Sequence, residues 1–202
     1  MGKRRKIDPL IKKIKSECEF EGLRVYLVKS DHVDADGIPC SGYFSDSAGI
    51  LAVALDIPNS RDIMVHEYCH FLQFKEKCKE WTDLEAQEPF IIDNWLKGDS
   101  NIDEDKLDKA LEATMLLELD CEKRAVAFMA QNGLEKDIEQ YIKQANAYVL
   151  SYKIVRKLRR WNKPGKAPYH NKSLTELMPN QFIDIDYVLT QEQENAFLES
   201  YI

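Results

Sequence analysis

His66 and His70 stand four residues apart, with Glu67 beside the first of them, in the run His66-Glu67-Tyr68-Cys69-His70. Side chains four apart stack on one face of a helix, so on a helix these two imidazoles can grip a single metal ion. Glu67 projects one position around from His66. From there its carboxylate can reach a water held on the metal and act as general base. The flanks favour a helix: Ile63, Met64 and Val65 precede the run, Phe71 and Leu72 follow it, and neither Pro nor Gly interrupts it. The plain alternative is a helix with two ordinary histidines and a solvated glutamate.

The HExxH run resembles the zincin metallopeptidases, and that resemblance implies zinc and hydrolysis of peptide bonds. A catalytic zinc takes three protein ligands and keeps one position open. In the metzincin pattern the third ligand comes six residues past His70, after a Gly at 73. Here Gln73 and Glu76 occupy those places. Without the Gly the helix continues, and at about 100° per residue Glu76 lies about 240° around from His70, off the metal face.

The gluzincin pattern, with a Glu from a separate helix, fits better. Leu117-Glu118-Leu119-Asp120-Cys121-Glu122 supplies it, with Glu118 as the implied third ligand. Glu122, one turn later where the family more usually has Asp, is the implied hydrogen-bond acceptor for a ligand histidine. The apolar residues before Glu118 (Ala113, Met115, Leu116, Leu117) would carry it into the interior, where a carboxylate needs a partner. Glu122 or Asp120 as the ligand remains open, as does a solvated acidic face.

By the same resemblance, Glu67 takes a proton from the zinc-held water and delivers it to the leaving amine. A donor to the tetrahedral oxyanion is expected among Tyr148, Tyr152, Tyr169 and His170. The first choice is the Tyr169-His170 pair, in a Pro-bounded loop that can overhang a cleft. Ile50–Leu55 stands where zincins have the edge strand that pairs with an extended protein or peptide substrate. The resemblance covers roughly residues 23–130, which sets the expected domains at 1–135 for a metallopeptidase core and 136–202 for a helical extension packed on it.

The elements that must position these residues are legible in outline. Ile7–Glu21 has helical spacing of apolar residues, and Leu23–Val28 alternates as a strand does. Asp31–Ser47, rich in Asp, Ser and Gly, reads as loop, with a short strand around Tyr43 as an option. Ile50–Leu55 is apolar throughout, as in a strand buried on both faces. Asn59 or Ser60 can cap a helix over about 61–79 that carries the HExxH run.

Residues 81–101 wind between helices. Helices then follow over about 103–131, stopped by Asn132-Gly133, and about 136–161, ended by Pro164-Gly165. Thr190-Gln191-Glu192-Gln193 is a capping box for a last short helix. Strands come first and helices after, which is an α+β arrangement.

Composition narrows the function classes. With 44% hydrophobic residues the chain of 202 can bury a sizeable core. A net charge of −7 argues against a general nucleic-acid binder. No apolar run approaches the roughly 20 residues of a membrane span, and the basic start Met1–Lys6 leads into Ile7-Asp8-Pro9 rather than a signal-peptide core. Five cysteines without a CxxC pair suit reduced thiols in a cytoplasmic protein. The competing function classes are an inactive metal-containing binding module and a metal-free helical interaction protein. Oligomeric state is not legible.

Overall fold

The computed structural model describes residues 7–35, 37–163 and 166–201. The basic run Met1–Lys6 and the expected helix stop at Pro164-Gly165 lie outside the described residues. The fold is mixed α/β, with small sheets and a helical C-terminal part. It packs into two compact units, Met1–Lys77 and Cys78–Ile202. The expected boundary at residue 135 falls inside the second unit, because the long helices on either side of it pack along each other.

In the first unit, helix α1 (Pro9–Phe20) begins where Asp8 Oδ1 accepts a hydrogen bond from the Leu10 amide, with Pro9 at the first helical position. Strand β1 (Arg24–Val28) follows, then the short antiparallel hairpin β2 (Val33–Ala35) and β3 (Ile38–Cys40). Strands β4 (Gly42–Ser45) and β5 (Ile50–Ala54) complete a sheet of order β1-β5-β4. β5 pairs parallel with β1 and antiparallel with β4.

The stretch 31–47, read as loop with a short strand around Tyr43 as an option, contains that strand as β4 and the hairpin strands β2 and β3 besides. Its hairpin turns at Gly37, whose φ of +87° suits glycine and whose amide donates to Asp34 Oδ1 at 2.6 Å. A second correction concerns β5, which is the central strand of this sheet and not an edge. Its unbroken apolar character has that cause. Leu51 and Val53 face the helices, while Ala52 and Ala54 pack under Val33 of the hairpin. The edge strand beside the HExxH helix is β4.

Helix α2 (Ser60–Glu76) carries the HExxH run and packs on α1, β4 and β5. Its N-cap is Asn59, and it ends at Lys77 in the left-handed region at φ 50°. The Tyr68 hydroxyl donates to Glu17 Oε2 at 2.9 Å, fastening α2 to α1.

Cys18, fully buried on α1, is pushed up to about 12 by burial and by the carboxylates of Glu17, Glu19 and Glu21. The raised value means that the folded chain keeps this proton where the unfolded chain has released it. Stability is then lost as pH rises from the ordinary thiol value towards 12. The loss has an upper slope of about 1.4 kcal/mol per pH unit. Urea melts between pH 9 and 11 are expected to fall more steeply for the native chain than for Cys18→Ala. Equal slopes would refute this.

The second unit is built on α5 (Glu104–Gln131) and α6 (Ile138–Leu158). Asp103 caps α5 through the Lys106 amide, and Gly133, at φ +76°, follows its C-cap Asn132. The segment 81–101 is more regular than expected, with α3 (Lys79–Glu85) and α4 (Ile91–Leu96) packed on α5. A 3-10 turn at Pro168–His170, α7 (Lys172–Leu177) and α8 (Gln191–Glu199) pack on α6. The Thr190/Gln193 capping box is present in both directions, at 3.2 and 2.9 Å. Among the described residues no helix is long and apolar enough to cross a membrane.

Candidate functional site

The four-residue spacing on α2 brings His66 and His70 together as the helix geometry requires. Their Nε2 atoms face each other at 3.1 Å, with ring centroids 4.6 Å apart and planes nearly perpendicular at 88°. Both rings are half-buried. Two imidazole nitrogens on one tetrahedral zinc, each about 2.0–2.1 Å from it, stand about 3.3 Å apart. The observed pair is close to that spacing, and imidazole nitrogen is a donor that zinc favours. The pair fits a zinc ion.

Glu67 is 8% exposed and leans towards β4. The reason it can do so is Gly42. A Cβ added there would lie 2.6 Å from Ile63 Cγ2, 3.0 Å from the Ala52 carbonyl oxygen and 3.2 Å from Glu67 Cγ. The missing side chain lets the turn of α2 that bears Glu67 approach the edge strand closely. Two residues on, Phe44 packs its ring against Phe71 and Phe74, at 5.9 and 5.8 Å. β4 therefore runs beside α2, seated by a glycine at one end and by an aromatic cluster at the other.

Cys40, at the end of β3, is pushed up to about 11, first by burial and then by the Glu67 carboxylate. It is a protonated thiol near Glu67 and a poor nucleophile at neutral pH. Gln73, one turn beyond His70, went unnoticed in the sequence except as a residue that is not Gly. Its side chain is fully buried, and its Oε1 accepts a hydrogen bond from His70 Nδ1 at 2.8 Å. Its placement at i+3 from a histidine was the available signal.

In the second unit, Glu118 and Glu122 lie on one face of α5 and are both buried, at 8% and 5% exposure. Glu118 Oε2 and Glu122 Oε2 are out of reach of solvent. The solvated acidic face thus does not describe these two residues. Asp120 points elsewhere and is ion-paired to Arg124 at 2.5 Å.

The Tyr148 hydroxyl, from α6, donates to Glu118 Oε1 at 3.1 Å, and Tyr152 stands 3.4 Å from it, hydroxyl to hydroxyl. Burial first, and the Glu118 charge second, hold both phenols well above the usual tyrosine range, so both remain protonated donors. Tyr169 joins the group by its ring, 5.8 Å from that of Tyr148, and the exposed His170 ring lies 4.4 Å from that of Tyr169 with the planes tilted by 58°. Two helix residues of α6, Tyr148 and Tyr152, bring their hydroxyls to Glu118. Of the expected site residues, His66, Glu67 and His70 belong to the first unit, and Glu118, Glu122, the tyrosines and His170 to the second.

No protein-family model, curated protein or solved structure matches the chain.

Proposed function

We propose that this chain is a zinc-dependent peptidase of zincin type. The observation that carries the reading is the facing pair of Nε2 atoms on α2, 3.1 Å apart, with the buried Glu67 one residue from His66. Two histidines and a remote carboxylate suffice to hold a structural metal, and none of them requires a Glu at 67. A general base does.

In this reading His66 and His70 hold the metal, with Glu118 as the third ligand that the sequence resemblance implies. Zinc bound there supplies Lewis acidity towards a peptide carbonyl and makes water a better nucleophile at neutral pH. Glu67 accepts a proton from the attacking water and returns it to the departing amine, a transfer favoured by its position against β4 away from bulk solvent. β4, as the edge strand next to Glu67, is the strand on which an extended protein or peptide segment would lie by main-chain pairing. Tyr148, a protonated donor beside Glu118, is the stronger candidate for stabilising the oxyanion, with Tyr169 and His170 behind it.

Metal analysis tests the ligand set. The purified chain is expected to bind about one zinc ion, as a single three-ligand site requires. Glu118→Ala should lose that zinc, and Glu122→Ala should keep it with an affinity lower by about 10–100-fold if it orients a ligand. Elemental mass spectrometry reads both. Loss in Glu122→Ala alone would exchange the two roles, and a native chain that takes up no zinc would sink the proposal.

A further inference from the structure

We propose that Gln73 is a positioning residue that locks His70 in its Nδ1–H tautomer, so that the ring presents the Nε2 lone pair to the space it shares with His66. The inference rests on the reading of His66 and His70 as a metal-binding pair, but its central claim concerns the proton on His70 and can be examined without metal.

Three features of the first unit carry it. Gln73 is one helical turn past His70 on an uninterrupted helix, so its side chain lies over the same face without any long-range constraint. The side chain is fully buried, which makes its amide expensive to leave unsatisfied and its orientation correspondingly firm. Its Oε1 lies 2.8 Å from His70 Nδ1, the distance of a well-formed N–H to oxygen hydrogen bond. An amide oxygen can only accept, so Nδ1 must carry the proton. In a neutral imidazole the other nitrogen, Nε2, is then a bare acceptor.

The consequence is local to the pair. The bare Nε2 of His70 stands 3.1 Å from the Nε2 of His66, so the lone pair that a metal would take already points into the space between the rings.

The experiment uses the full chain labelled with nitrogen-15 at histidine, freed of metal by chelation, at a pH of about 8 where ordinary imidazoles are neutral. Two-bond proton–nitrogen correlation spectra identify the protonated nitrogen of each ring. The expected result is His70 protonated at Nδ1. Gln73→Met, similar in volume but without the acceptor, should leave His70 in a mixture of tautomers and raise the zinc dissociation constant by about 10–100-fold. Gln73→Glu, which still accepts from Nδ1, should restore the tautomer. Adding zinc chloride to the native chain should leave the proton of His70 on Nδ1.

A metal-free His70 protonated at Nε2, or one unchanged in Gln73→Met, would overturn the inference. Should Gln73→Met fail to fold, Gln73→Asn, one methylene too short to span the contact, replaces it with the same expected and contrary results. The expected His70 tautomer in a chain that takes up no zinc would support the role of Gln73 and sink the metal reading instead.

Discussion

Glu67→Gln is expected to lower peptide hydrolysis by about a hundred- to ten-thousand-fold, the usual contribution of a positioned acid–base group. The bound zinc should stay. Glutamine matches glutamate in shape, so the 8% exposed side chain should keep its place against Gly42 and Ile63 and the helix should be undisturbed. What it loses is the ability to take a proton from water. Glu67 is not one of the proposed ligands, so the metal count separates loss of chemistry from loss of the site.

The measurement is cleavage of a generic unfolded protein substrate, followed by mass spectrometry of the products, beside elemental analysis of the same samples. Activity lost with zinc retained supports the peptidase. A chain that holds zinc and cleaves nothing even with Glu67 intact would leave the inactive metal-containing module. Undiminished cleavage by the glutamine variant would remove Glu67 from the mechanism.

Gly42→Ala should produce the largest effect on stability among single methyl additions in the first unit, about 1–3 kcal/mol, the range for overfilling a packed interior. The added Cβ would stand 2.6 Å from Ile63 Cγ2, and the β-branched Ile63 has little rotamer freedom on a helix with which to retreat. The Ala52 carbonyl at 3.0 Å belongs to the central strand and cannot move without disturbing the ladder. Relief must come from α2 shifting away from β4, and Glu67 shifts with it. The variant should therefore lose activity as well as stability.

Thermal melts of Gly42→Ala, Ile63→Ala and the double variant check the cause. Truncating Ile63 removes the closest clash, so the double variant should be more stable than the sum of the single losses predicts, with a coupling of about 0.5–3 kcal/mol. Strict additivity would mean that Gly42 serves something other than the approach of the helix.

What was legible before the fold was known was local. The helix register that puts His66 and His70 on one face follows from 3.6 residues per turn, and the observed 3.1 Å between their Nε2 atoms is its direct product. The capping box at Thr190 and the stop at Asn132-Gly133 involve partners within four residues and were readable for the same reason. The apolar approach to Glu118 pointed correctly to a buried carboxylate, since helical periodicity decides which side chains face inward.

Tertiary pairing decided the rest. Residues 33–40 looked like loop because strands of three residues carry too few side chains to display an alternating pattern. Which strand is central and which is edge depends on partners distant in sequence. Ile50–Ala54 could announce that it is buried on both faces but not that Gly42–Ser45 lies beyond it. Gly42 matters only because Ile63 and Glu67 come to rest against it, and Tyr148 only because α6 sets its hydroxyl 3.1 Å from Glu118, thirty residues away. The chemistry-bearing residues on α2 were determined by sequence alone, because a helix is periodic in its own neighbours. Their edge strand and the tyrosine donor to Glu118 were determined by packing, because only non-local burial brings such groups within hydrogen-bond and van der Waals range.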